Sequence, residues 1–238
     1  MDPLRERVTA ALAGFERRPV HRPDLKAAAV AITLVEDGPA FLLTRRASTL
    51  RGHAGQWALP GGRADPGESP GEDARRELAE ELGLALGADA ELGLLDDYAT
   101  RSGYVITPVV LWAGADPRLV PNPAEVARLY RVPLADLDVE PRYVTIPESD
   151  APVIQLPLLG SLVHAPTSAN WWSTPRTAGI RLALTGRAAQ TDSASGVRRG
   201  SGVAAWRSGM RRNTTNSTTS SAARPHTPID TACAANPS

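Results

Sequence analysis

Cysteine is almost missing from this 238-residue chain. Cys233 stands alone, which excludes an internal disulfide and any cysteine-built metal centre. No apolar run approaches the roughly 18 residues of a membrane-spanning helix. The opening residues Met1-Asp2-Pro3-Leu4-Arg5-Glu6-Arg7 are charged, with no apolar core behind them, so no secretory leader is expected and a cytoplasmic location is. An excess of either charge is lacking too, with 26 basic and 26 acidic residues. The balance is uneven along the chain. From Pro166 onward there are nine Arg and two Asp with no Lys or Glu, which leaves 17 basic and 24 acidic residues before it, a net of −7. That acidic front part is a poor match for nucleic acid.

The same composition divides the chain. Residues 166–238 are rich in Arg, Ala, Ser, Thr, Gly and Pro, and 213–221 is a low-complexity run of Asn, Thr and Ser. Such a segment buries too little apolar surface to offset chain entropy, so 171–238 is expected to be a largely disordered basic tail. Trp171, Trp172 and Ile180 to Leu184 are the pieces expected to pack, as remnants of a closing helix. A basic tail for nucleic acid or an anionic surface is the functional reading, and an accretion or a shifted reading frame is the favoured bland one. At the other end, residues 1–24 form an N-terminal helix and linker. Leu4, Val8, Leu12 and Phe15 recur at helical spacing, and Pro19 and Pro23 are expected to end the helix. A homodimer contact through it stays open.

Between these lies one domain, 25–170. Lys26 to Glu36 is a continuous apolar run suited to a strand covered on both faces. A turn at Asp37-Gly38-Pro39 and a returning strand, Ala40 to Arg45, make a hairpin. Ala90 to Ala99, Tyr104 to Ala113 and Val126 to Pro133 read as further strands, and Tyr143 to His164 as three extended pieces broken by prolines. Tyr98 and Tyr104 flank a turn and are weighed as an adenine platform against rim packing.

The most informative stretch runs from Gly62 to Leu84. Ser69 is a helix N-cap, Pro70 suits the first helical position, and Glu72 completes a capping box. Gly83 stops the helix. Ala74, Leu78 and Leu82 make an apolar stripe, while Glu77, Glu80 and Glu81 fall at i, i+3 and i+4 on another face. Like charges at that spacing repel. Arg76 reaches Glu80, and Arg75 or Arg76 can turn towards Glu68 or Glu72, but neither neutralises the whole cluster. A hard divalent cation would, because Mg²⁺ takes carboxylate oxygens and shares itself with phosphate. A solvated acidic helix face is the plain alternative.

The spacing G-x5-E-x7-R-E-L-x-E-E-x-G-L, filled here by Gly62, Glu68, Arg76, Glu77, Leu78, Glu80, Glu81, Gly83 and Leu84, resembles the signature of the Nudix hydrolases. The resemblance implies an α/β/α sandwich with a mixed central sheet, and Mg²⁺- or Mn²⁺-dependent hydrolysis of a diphosphate linked to another moiety. Carried over by position, Glu77 and Glu81 are implied as metal ligands, and Glu80 as a further ligand or the base that orients water. Arg76 and Glu68 are implied as the pair holding the loop on the helix, and the Gly61 carbonyl as an extra ligand. Glu125 is the nearest candidate for a downstream catalytic carboxylate, against a plain role in fixing its loop. Asp96 and Asp97 rank behind it.

The preceding segment, Leu42 to Gly62, resembles the motif of the coenzyme A diphosphatase branch of that family. Leu42, Leu43, Thr44, Arg46, Ala47, Arg51, Gly55, Pro60, Gly61 and Gly62 match, and His53 and Gln56 agree with its common form. Leu59 stands where Phe is expected, and Trp57 is larger than expected. The implied substrate is coenzyme A or an acyl derivative, cut to 3′,5′-ADP and phosphopantetheine. Arg46 and Arg51 suit phosphates that a metal leaves unneutralised, and His53 either binds phosphate or caps the loop. Gly61-Gly62 lets the backbone pass close to metal or phosphate. Trp57 and Leu59 keep ADP-ribose, another dinucleotide or an oxidised nucleoside triphosphate open as substrates. A non-catalytic nucleotide sensor is the alternative from another class.

Overall fold

The run of small and β-branched residues from Lys26 to Val35 becomes the central strand β1, and its alternation divides the interior in two. Val30, Ile32 and Leu34 face one apolar cluster, and Ala29, Ala31 and Val35 face the other. The computed structural model describes residues 2–49, 55–100, 102–139, 142–145, 153–159, 161–164 and 177–186. Among these, no helix is long and apolar enough to cross a membrane.

β1 pairs in parallel with β7 (Tyr104–Trp112) along nearly its whole length, from Lys26↔Tyr104 to Leu34↔Trp112. On its other side it meets β2 (Ala40–Arg46) only at Leu34↔Phe41 and Val35↔Ala40. The two strands then separate. The wedge between them is filled by β3 (Trp57–Ala58), paired with β2, and β4 (Gly61–Arg63), paired with β1. β8 (Val126–Pro133) lies on the outer side of β2, while β5 (Glu91–Leu94) and β6 (Tyr98–Ala99) line β7. The eight strands form one mixed sheet.

Helices cover both faces, as an α/β/α sandwich requires. α2 (Pro70–Leu82) lies on one, burying Ala74, Leu78 and Leu82 completely. Its ends match the reading from sequence. Ser69 and Glu72 form the capping box, and Gly83 closes the helix at φ +64°. The opposite face carries α1 (Pro3–Ala13), whose Leu4, Val8 and Leu12 are buried. α1 stops at Gly14, well before Pro19 and Pro23, so a glycine rather than a proline ends it.

Within the segment expected to be tail, α3 (Ala178–Thr185) is an ordered helix. Its Ile180 and Leu184 join the cluster of Leu4, Val8 and Leu12, and Arg7 donates to the Ala183 carbonyl. The apolar stripe of α1 is therefore used within the chain. Trp171, Trp172 and the expected helix start at Thr167 lie outside the described residues.

The strand expected over 90–99 is two short strands. Asp96 and Asp97 interrupt it because they bind the linker after α1. Asp97 accepts from Arg17 at 2.6 Å, Thr107 at 2.8 Å and the Val20 amide at 2.9 Å, and Asp96 accepts from the Arg18 amide. The three extended pieces near the end form a separate antiparallel sheet of β9 (Arg142–Val144), β10 (Val153–Leu158) and β11 (Ser161–His164).

Candidate functional site

Two glycines decide how closely α2 approaches the sheet. Gly62 is paired with Ala29 on β1, and a Cβ there would lie on the Glu77 carboxylate, 2.6 Å from Oε2. A Cβ on Gly61 would meet Val30 Cα at 2.8 Å. The start of β4 is thus pressed between β1 and the acidic helix: a side chain at Gly61 would strike the β1 backbone, and one at Gly62 would displace the Glu77 carboxylate.

Arg76 organises the helix side. Its guanidinium donates to Glu68 twice (Nε to Oε1 at 3.0 Å, Nη2 to Oε2 at 3.1 Å), a bidentate clamp that ties the loop to the helix. It also donates to Asp73 at 2.8 Å, to Glu77 at 2.8 Å and to Glu80 at 3.3 Å, and Nη2 reaches the Arg63 carbonyl at 3.1 Å. One cation serves Glu68, Asp73, Glu77 and Glu80, so carboxyl groups outnumber the guanidinium four to one. Arg75 turns elsewhere, to Glu91 on β5 at 3.2 Å.

The three carboxylates that share a face in the sequence separate in space. Glu77 and Glu81 turn inward, with side chains 13% and 4% exposed, whereas Glu80 stays at the rim at 55%. Burial pushes Glu81 up to about 7, opposed by Arg46 and reinforced by Glu77 and Glu125. Burial also raises Glu77, with the Arg76 hydrogen bond opposing it. Glu68 is held low by Arg76.

Arg46, on β2, comes to 3.8 Å from Glu81 Oε1. Its Nε is buried and without a hydrogen-bond partner. Arg51 and His53 lie outside the described residues. Glu125 does approach, close enough to add to the charge felt by Glu77 and Glu81, and Asn122 holds it through Nδ2 at 3.2 Å. Its backbone carbonyl also accepts from the Ala47 amide. Glu125 thus fixes its loop and also lies near the acidic cluster. Asp96 and Asp97 serve the linker instead. Tyr104 sits under Lys26, whose Nζ is 6.0 Å from the ring centroid.

Sequence reasoning passed over Asp73. It is fully buried, its Oδ2 lacks a partner, and burial beside Glu77 and Glu68 raises it to about 7. Its position one residue before Ala74 of the apolar stripe was the available signal.

Among the described residues, no three carboxylates or imidazoles converge on one point tightly enough to hold a metal. The donors nevertheless fit a hard divalent cation in kind: all are oxygens, the cluster carries surplus negative charge, and the two inner carboxylates are starved of positive charge.

A model of the NUDIX domain matches residues 24–156. The chain is 41% identical over 128 residues to a protein of Pectobacterium atrosepticum named as an uncharacterized Nudix hydrolase NudL, covering 53% of this chain and 66% of that one. It is 44% identical over 99 residues to the NudL of Photorhabdus laumondii, covering 41% and 53%. The chain therefore spans just under two thirds of the first relative and about half of the second. Among solved structures, a MutT protein from Methanosarcina mazei aligns at 28% identity with a TM-score of 0.36, over 53% of this chain and 86% of that one.

Proposed function

The chain belongs to the Nudix family, and from that premise we propose that it hydrolyses a diphosphate linking a nucleoside to another moiety. The substrate we favour is coenzyme A or an acyl derivative. The observation that carries the hydrolytic reading is the charge imbalance around Arg76. Four carboxylates share one guanidinium, and among the described residues the one ion pair of buried Glu81 is its 3.8 Å contact with Arg46. Surplus negative charge is costly to bury unless a cation joins it.

Glu77 and Glu81, with Glu80 at the rim, are the residues to hold Mg²⁺ or Mn²⁺, which when bound supplies charge to non-bridging phosphate oxygens and lowers the pKa of water. Glu80, the most exposed of the three, is our choice for the group that takes the proton from the attacking water. Arg46 offers its guanidinium to a phosphate oxygen in exchange for its long contact with Glu81. Gly62 keeps Glu77 in place by having no side chain, and the Arg76–Glu68 clamp keeps the loop from drifting off the helix. The coenzyme A reading rests on the motif in residues 42–62.

The test is turnover of coenzyme A, acyl-coenzyme A, ADP-ribose and nucleoside triphosphates with Mg²⁺ or Mn²⁺. The highest kcat/KM is expected for coenzyme A or its acyl derivative. Preference for ADP-ribose or a triphosphate overturns the substrate, and tight binding without turnover of any overturns hydrolysis in favour of sensing.

A further inference from the structure

Across the outer strands of the sheet, Trp57 on β3, Arg45 on β2 and Arg128 on β8 lie in one row. Arg45 pairs with Trp57 on one side and with Arg128 on the other. Directly paired residues of antiparallel strands share a face, and like charges placed so repel. By contrast, Arg17, Arg22, Arg46, Arg75, Arg76 and Arg131 each pair with a carboxylate. Among the described residues, neither Arg45 nor Arg128 does. Arg45 donates Nε to the Gly55 carbonyl at 3.1 Å and holds its guanidinium 6.0 Å from the Trp57 ring centroid. Trp57 in turn meets Tyr130, their centroids 4.9 Å apart at 56°. Both arginines are exposed and both rings half-buried. The result is two unneutralised guanidiniums bordered by aromatic surface.

The row also adjoins the catalytic segment. Arg45 precedes Arg46, the residue beside Glu81, and the ladder register shifts between the two, a device that re-aims side chains near sites. Trp57 lies four residues before Gly61. Two guanidiniums match a phosphate monoester dianion, and flanking rings match a nucleobase. Coenzyme A presents both, in the phosphate on its ribose and its adenine.

We propose that Arg45 and Arg128, bordered by Trp57, form an anion subsite that holds the ribose phosphate of the substrate, distinct from Arg46 and from the carboxylates Glu77 and Glu81 that would hold the metal. This rests on the coenzyme A reading above. It assigns the discrimination between coenzyme A and dephospho-coenzyme A to Arg128 on β8 and to two positions, Arg45 and Trp57, that the Leu42-to-Gly62 motif leaves unspecified.

The experiment has two arms. In the first, kcat/KM is measured for coenzyme A and dephospho-coenzyme A in the wild type, Arg45→Gln, Arg128→Gln and Arg128→Glu. The wild type is expected to prefer coenzyme A, and each variant to shrink that preference by about tenfold or more, chiefly through KM. Arg128→Glu gives Arg45 an acidic partner, so it removes the repulsion and the subsite together. In the second arm, 3′,5′-ADP and 5′-AMP are titrated calorimetrically into wild type and variants without metal. Tighter wild-type binding of 3′,5′-ADP, lost in the variants, supports the subsite. An unchanged preference in folded variants overturns it. If the wild type cuts neither coenzyme A nor dephospho-coenzyme A, the substrate proposal fails, and the titration still decides the subsite.

Discussion

Replacing Asp73 by Asn should stabilise this protein at neutral and alkaline pH. Asp73 is fully buried on α2, and its Oδ2 has no partner. Arg76 Nη2 donates to it at 2.8 Å, from a guanidinium also bound to Glu68, Glu77 and Glu80, and the Ala29 amide adds a weaker stabilising contribution. Burial therefore wins over pairing, and the carboxyl is raised from 3.8 to about 7. The folded state then holds more protons than the unfolded state between those two values. Stability falls as pH rises through that window and is lowest above it. The interval from 3.8 to about 7 corresponds to at most about 4 kcal/mol, at roughly 1.4 kcal/mol per pH unit. Asparagine keeps an oxygen for Arg76 and carries no charge. Asp73→Asn should match wild type below about pH 4 and exceed it by up to about 4 kcal/mol at pH 8. Urea unfolding in the presence of chelator, at several pH values from 4 to 8, measures the difference directly. A variant that is less stable than wild type at pH 8 would refute the reasoning, because it would mean that the Arg76 pairing outweighs burial.

Three further outcomes follow from the same geometry. Glu81→Gln should lower kcat by about 10²–10⁴ while leaving the fold intact, since it keeps the shape and removes the charge beside Arg46; rates and a thermal melt check both. Gly62→Ala should depress turnover strongly, because its methyl would occupy the position of the Glu77 carboxylate, and Glu77→Ala in the same background should add little further loss. Leu78→Ala, at a fully buried site between α2 and the sheet, should cost about 2–5 kcal/mol in chemical denaturation.

Much of the fold was legible because its signals are local. The capping box at Ser69, the stop at Gly83 and the stripe of Ala74, Leu78 and Leu82 each depend on neighbours within one or two turns. The apolar run at 26–35 foretold a strand buried on both faces. The Glu68–Arg76 clamp was legible through resemblance, and its bidentate geometry is what the structure adds. Ile180 to Leu184 were expected to pack as the remnant of a helix and do so in Ala178–Thr185, whereas the break at Asp96 and Asp97, the helix end at Gly14 and the partners of Ile180 and Leu184 were less visible. The first and last depend on partners far along the chain, Arg17 for Asp97 and Leu4, Val8 and Leu12 for Ile180 and Leu184, while Gly14 ends its helix through local bonds.

The sequence by itself determined which residues are acidic, which are glycine and how they are spaced, and hence the family and the kind of cation the site suits. Only the tertiary structure decided which of those charges face inward. Glu77 and Glu81 are buried and Glu80 is exposed because β1 and β2 splay apart and the Gly61-Gly62 turn enters the wedge beneath α2. The same wedge sets Trp57 beside Arg45, opposite Arg128. Periodicity along a chain specifies the faces of each element, but desolvation and charge pairing arise only where distant elements meet.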